Sequence, residues 1–362
     1  MPSSVHCQHA EALGAVAHST VHVPSLAAPL RLMHITDSHC DLGPDAESGS
    51  EELCQYLHGR YVDGFKANEQ RGPETVHGHT PVAPNEAFEA QLAEAKRCGV
   101  DLVVHTGDLL NFPSPKAAEW AAETMERHGL PFLFIVRRPP SGQLCRLMMG
   151  SHAQGGNHDW QHCNPNYPHT LEGPEMGSDA LRAEWRDRAL PALFDGGRRN
   201  MSHWSEIVGG CQFIGIDNST RYITPDQLEF FLSATAGGEH PVVLMMHIPL
   251  RLPGLMEDGR ADGGGKTGDA RLKDSSVMDG QPDAEEEQQW REIGAPGALE
   301  ATREFVAAVA ELPSLVAVLT GHIHDNNADP IGEYGAVHYT TDAGCYKGSR
   351  FLEFLPGEAP RL

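Results

Sequence analysis

Five short clusters in this chain have the residue types that hold metal ions: Asp37-Ser38-His39, Gly107-Asp108, Gly156-Asn157-His158-Asp159, His247, and Gly321-His322-Ile323-His324. Asp37, Asp108 and Asn157 offer hard oxygen ligands. His39, His247, His322 and His324 offer imidazole nitrogen, and no cysteine stands among them. That mixture suits two divalent or trivalent ions of Mn, Fe or Zn rather than a structural thiolate site. A carboxylate can bridge two ions. Two ions about 3.5–4 Å apart can clamp a phosphoryl group and lower the pKa of a bound water. Glycines at 107, 156 and 321 suit sharp turns at which the backbone approaches an ion closely.

Taken singly, each cluster has a plain structural reading. Asp-x-His arises often by chance, and Gly-Asp is a common turn. A histidine on an apolar strand, such as His247, is more often a satisfied core residue than a ligand, and Met245 and Met246 beside it read as core. The combination is another matter, because every cluster falls where an apolar run ends.

Those runs are the elements that must position the site. Leu30–Ile35 reads as a buried strand ending at Asp37, and similar runs cover residues 101–106, 131–136, 211–216, 242–246, 315–320 and 337–341. Helices are expected between them. Asn85 can cap one that carries Phe88, Leu92 and Ala95. Ser114-Pro115 opens a second, closed by Gly129. Thr224 and Gln227 form a capping box for a third, with Leu228, Phe231 and Leu232 inward, and residues 298–311 form a fourth before Pro313. Strands alternating with helices give an α/β layered domain. In such folds ligands bind beyond the carboxyl ends of the strands, so clusters far apart in sequence would meet at one edge.

The 362 residues are 40% apolar, enough for a core, and carry a net charge of −23 with histidine neutral. A surface this acidic repels nucleic acid and anionic membrane, so neither is an expected partner, and a small phosphoester would have to be drawn in by the local positive charge of bound metal. The eight cysteines are scattered without a C-x-x-C pair and read as reduced thiols of a cytoplasmic protein. Residues 1–27 hold several of the 21 histidines (His6, His9, His18, His22) and no apolar run. They read as a disordered tail, neither a secretory signal nor a membrane span. Residues 28–362 then form the catalytic domain, with irregular insertions at 43–84, 137–154 and 253–297; the last contains the acidic run from Asp283 to Glu287.

The ordered set of clusters resembles the calcineurin-like metallophosphoesterase superfamily, which includes purple acid phosphatases, Ser/Thr protein phosphatases and cyclic-nucleotide phosphodiesterases. The resemblance spans roughly residues 30–355. His-Ile-Pro-Leu at 247–250 and Gly-Asp-Leu-Leu-Asn-Phe-Pro-Ser at 107–114 look closest to its little-characterised single-domain members. It implies a four-layer α-β-β-α sandwich with the metals at the sheet edge. It also implies a metal-dependent hydrolase of phosphate monoesters or diesters, in which a metal-bound hydroxide attacks. Asp37, His39 and His324 would hold the first ion, Asn157, His247 and His322 the second, and Asp108 would bridge. His158 would be the general acid, or a clamp on the transferred phosphoryl group. Many members carry an aspartate three residues after the bridging one, where it orients the catalytic histidine. Here Asn111 stands at that position. An amide can hold an imidazole but cannot stabilise its cation as a carboxylate does. The Arg-rich signature that protein phosphatases carry around Gly-Asn-His is missing. A non-catalytic metal-binding scaffold of the same fold is the alternative, and its mark would be the loss of metal ligands.

Residues 137–154 separate an expected strand from Gly156-Asn157-His158, a step that is short in the family. The segment has three arginines, no acid and no helical or strand period, and Pro139-Pro140 breaks whatever precedes it. Valine codons begin with GT and a glutamine codon can end in AG, so the stretch from Val136 to Gln154 has the borders of an intron. Retained intron and family-specific insertion both fit.

Overall fold

The computed structural model describes residues 5–10 (backbone only), 16–43, 83–111, 115–133, 159, 202–219, 222–251, 278 and 297–357. Two six-stranded sheets form the centre. The strands are β1 (Val5–Ala10), β2 (Val16–Val23), β3 (Leu30–Ile35), β4 (Leu102–His105), β5 (Phe132–Leu133), β6 (His203–Val208), β7 (Cys211–Ile216), β8 (Val242–Met245), β9 (Leu315–Thr320), β10 (Asn327–Ile331), β11 (Ala336–Thr340) and β12 (Ser349–Pro356). One sheet runs β1-β2-β12-β3-β4-β5 and the other β10-β11-β9-β8-β7-β6. The described helices are α1 (Pro84–Cys98), α2 (Pro115–His128), α3 (Pro225–Thr235) and α4 (Ala298–Glu311).

Side-chain alternation along the central strands sorts the packing into layers. Leu30, Leu32, Leu102 and Val104 of the first sheet meet Phe213, Val243, Met245, Ala317 and Leu319 of the second in one dry core. The neighbouring residues point the other way. Met33, Ile35 and Val103 pack on Phe88, Leu92 and Ala121 of α1 and α2. Ile214, Leu244 and Val318 pack on Phe231, Phe305 and Val309 of α3 and α4. Helix, sheet, sheet, helix is therefore the order of layers, as the expected sandwich requires. Strands buried on both faces have no polar side to show, which is why the central ones read as continuous apolar runs.

Several expectations need correction. Residues 1–27 carry β1 and β2 rather than a disordered tail. β2 pairs with β12 over eight residues and sends Val21 and Val23 into the inter-sheet core. Its apolar residues alternate with His18, Thr20 and His22, so no run betrays it. Asn85 does not cap α1, whose N-cap is Ala83. Instead Asn85 Oδ1 accepts the Asp41 N–H at 2.8 Å. Leu232 is 41% exposed, since Leu228, Phe231 and Thr235 already fill the inward stripe of α3. The Gln227 half of the capping box is present, with Oε1 accepting the Thr224 N–H at 2.9 Å. Ser114, strand residues 134–136, the insertion 137–154 and nearly all of 43–84 and 253–297 lie outside the described residues.

Candidate metal centre

β3 and β4 are parallel neighbours in one sheet, and β8 and β9 are parallel neighbours in the other. Their carboxyl ends reach the same edge of the sandwich. Past its last residue, β3 keeps pairing with the chain after β4: Asp37 N–H donates to Gly107 O at 2.9 Å, His39 N–H to Asp108 O at 2.9 Å and Cys40 N–H to Leu109 O at 2.8 Å. That ladder sets Asp37 and His39 beside Asp108. On the second sheet, Gly321 N–H donates to His247 O at 3.0 Å and places His322 beside His247.

Two hydrogen bonds then tie the sheets together at the site. Asp37 Oδ2 accepts the His322 N–H at 2.8 Å, and Thr106 O accepts from His247 Nδ1 at 3.0 Å. The second bond fixes the His247 tautomer, leaving the Nε2 lone pair to face inward.

The result is two groups of three side chains, each of which could hold an ion. Asp37, His39 and His324 form one; Asp108, His247 and His322 form the other. In the first, His324 Nε2 lies 3.2 Å from Asp37 Oδ1 and 3.3 Å from His39 Nε2. In the second, His247 Nε2 lies 3.3 Å from Asp108 Oδ2 and 3.2 Å from His322 Nδ1. Asp108 Oδ2 is also 3.9 Å from His39 Nε2, so one oxygen stands between the two groups. Six of the seven expected ligands converge here. Asn157 lies outside the described residues, as does His158.

The donor set fits a pair of cations. Asp37 and Asp108 are 0% and 2% exposed, and buried carboxylates need a compensating positive charge. Asp37 Oδ1 is buried yet accepts no hydrogen bond of good geometry. Burial opposes a charged His247, but the Asp108 and Asp37 carboxylates outweigh it and raise its pKa to about 9. Burial likewise opposes charge on His324, and Asp37 outweighs it and raises that pKa. A pocket that draws protons onto its imidazoles will draw a metal ion in their place.

Backbone shape marks the same residues. Asp37, His39, Asp108, His322 and His324 all have φ between 45° and 69°. Left-handed backbone is uncommon for residues other than glycine and costs on the order of 1–3 kcal/mol each. Among the described residues Lys347 is the sole other non-glycine case. The cross-loop bonds above hold these turns in place. Gly107 has φ 109°, the turn expected there. Gly321 is needed for a different reason: a Cβ on it would overlap Thr36 Oγ1 and Asp37 Oδ2.

Around these side chains Asn218, His34 and His105 went unassigned in the sequence, whereas Asp159 and Asn111 were singled out there. Asn218, fully buried after β7, accepts the N–H groups of His247 and Ile248, each at 3.0 Å, and donates to Ile248 O at 2.8 Å. The signal for it was its place, since Asp217-Asn218-Ser219 ends a strand just as the ligand clusters do. Asp159 accepts the N–H of Leu110 at 2.8 Å and of Leu109 at 3.3 Å, a structural role. Asn111 Nδ2 donates to Asp41 Oδ2 at 2.6 Å. His34 and His105 are buried beneath the ligands. Burial pushes the His105 pKa down to about 3 and holds that of His34 well below its ordinary value. Both are therefore neutral struts: His105 Nε2 is 2.9 Å from Ser38 Oγ, and His34 sits 2.8 Å from both Thr106 Oγ1 and Thr341 Oγ1.

Two outcomes are expected. Gly321→Ala should displace Asp37 and weaken binding of the first ion at least about tenfold, a loss typical of disturbed ligand orientation. Calorimetric titration with Mn²⁺ would read it, and unchanged affinity would contradict the close approach. Protons on His247 and His324 must leave when metal binds. Affinity should therefore rise with pH and level off above about 9, the raised His247 value. Titrations at stepped pH check the sign.

Among curated proteins, no sequence matches this chain. Solved structures with a similar outline include a dimetal phosphatase from Danio rerio, 12% identical over 88% of each chain with a TM-score of 0.43. A putative 5'-nucleotidase from Staphylococcus aureus is 11% identical over 88% of this chain and 49% of its own, with a TM-score of 0.40; this chain spans about half its length. A phosphopantetheinyl hydrolase from Mycobacterium tuberculosis is 12% identical over 89% of this chain and 92% of its own, with a TM-score of 0.32. Likenesses this faint support no conclusion about activity. The sequence profile of the calcineurin-like phosphoesterases matches residues 30–326, most of the chain and strands β3 to β9, and on that match the chain belongs to the calcineurin-like phosphoesterase family.

Proposed function

We propose that this protein hydrolyses small phosphate esters with two metal ions, drawn from Mn, Fe and Zn, held between its sheets. The observation that carries the reading is the position of Asp108 Oδ2, within 3.3 Å of His247 Nε2 and 3.9 Å of His39 Nε2, between two ligand groups. Asp37, His39 and His324 would hold one ion; Asn157, His247 and His322 the other; Asp108 would serve both. When bound, such a pair supplies Lewis acidity toward the phosphoryl oxygens and a water of lowered pKa.

The chain's own residues do the rest. Thr106 O and Asn218 fix the ring and backbone of His247. The Asp37 carboxylate joins the sheets by accepting the His322 N–H. His158 would protonate the leaving oxygen. The net charge of −23 disfavours nucleic acid and anionic membranes as partners, and among the described residues no helix is long and apolar enough to cross a membrane. Residues 253–297 lie in the sequence between His247 and His322, so they would govern which ester is accepted.

Metal analysis joined to hydrolysis of aryl phosphate mono- and diesters tests the proposal. The Mn-reconstituted protein should hold two ions per chain and cleave at least one of the two esters. Asp108→Ala should lose both ions together, whereas Asp37→Ala should lose mainly one. One ion or none per wild-type chain would refute the two-metal reading, and two ions without hydrolysis would favour a scaffold. His158→Ala should lower kcat by about 10²–10⁴-fold with metal content intact. The loss should be smaller for a good leaving group. An unchanged rate on a poor leaving group would remove His158 from the reaction.

A further inference from the structure

Arg350 is a cation inside the sandwich, 3% exposed, on β12. Its Nη2 donates to Asn327 O at 3.0 Å, Thr340 O at 3.1 Å and Asn326 Oδ1 at 3.3 Å. Its Nη1 donates to Ser19 Oγ at 3.2 Å and its Nε to Thr341 Oγ1 at 3.3 Å. The guanidinium carbon also lies 5.0 Å from the centre of the Tyr339 ring. A buried guanidinium is costly to install even when hydrogen-bonded, which points to a purpose beyond filling space.

Two routes lead from this guanidinium to the metal ligands. The first is short. Asn326 and Asn327 follow His324 closely in the chain, and Asn326 Oδ1 also accepts the Asp342 N–H at 3.2 Å. Arg350 therefore pins the loop that carries His324 against β11. The second route is a hydrogen-bond chain. Thr341 Oγ1, which accepts from Arg350, is 2.8 Å from His34 Nδ1. His34 Nε2 is 2.8 Å from Thr106 Oγ1, and the Thr106 carbonyl accepts from His247 Nδ1 at 3.0 Å. Arg350 thus holds one end of a run of contacts that reaches through Thr341 and His34 to Thr106, the residue whose carbonyl orients the His247 ring.

We propose that Arg350 is the positioning residue of the metal centre, holding the His324 loop by one arm and the His247 orienting chain by the other. The proposal rests on the two-ion reading above. Arg350 touches no reacting atom; it acts through Asn326 and through Thr341. Arginine suits the post because its planar fork presents five N–H donors in fixed directions, where lysine offers three from a point.

Titration calorimetry with Mn²⁺ on the full chain, with folding followed by circular dichroism, tests this. Arg350→Met should weaken both ions, each by about 10–100-fold, the usual loss when an outer partner of a metal ligand goes. Asn326→Ala should weaken chiefly the ion bound by His324, and Thr341→Val chiefly the one bound by His247. Arg350→Lys should fall between wild type and Arg350→Met. Ser19→Ala removes an Arg350 contact that lies on neither route and should leave both affinities unchanged. A folded Arg350→Met with wild-type affinities overturns the proposal, as does a Ser19→Ala loss equal to that of Asn326→Ala. Should Arg350→Met fail to fold, wild-type affinities in both Asn326→Ala and Thr341→Val overturn it. A wild type that binds no Mn²⁺ refutes the two-ion reading instead.

Discussion

Two carboxylates buried together are the constraint around which this protein is organised. Asp37 and Asp108 sit at the seam where two sheets meet, and neither is open to water. An ionised carboxylate in such a place is unstable alone. Imidazoles from both sheets approach it: His39 from the first, and His247, His322 and His324 from the second. Neither sheet could satisfy the seam by itself. The electrostatic demand of the site and the packing of the sandwich are thus one problem, and a pair of cations answers both.

The left-handed turns follow from the same demand. A strand delivers a side chain to alternate faces, so a ligand turned inward at a strand end needs a sharp local reversal. Asp37, His39, Asp108, His322 and His324 make that reversal with ordinary side chains where glycine would be easier. The ladder from Asp37 to Cys40 and the buried, neutral His34 and His105 keep the turns from relaxing. Rigid backbone around a site is what lets a small shift in a distant partner be felt there.

How much of this could be read from the sequence depended on the kind of strand. β3, β4, β7, β8 and β9 are buried on both faces, and their unbroken apolar runs were legible. β2, β6, β10 and β12 interleave buried residues with half-buried or exposed ones, and all four escaped notice. Pro330 made β10 look still less like a strand, though an outer strand tolerates proline. The six side chains that converge were legible because each follows a legible strand. Asn218 was not, because an asparagine after a strand has many ordinary uses. Arg350 was invisible for a deeper reason: its partners come from three stretches of chain, around Ser19, Asn326 and Thr340, and no spacing along the sequence encodes that meeting.

The profile match begins at residue 30, yet the first sheet does not. β2 lies between β1 and β12, adds Val21 and Val23 to the central core, and gives Ser19 to Arg350. A chain that kept β12 but began at residue 30 would strip that strand of its outer neighbour. It would leave a raw edge with unpaired amides and carbonyls beside bare hydrocarbon, a template for sticking to other chains. The matched region and the folding unit therefore have different borders. Anyone shortening this protein from its N-terminal side should cut before Val16.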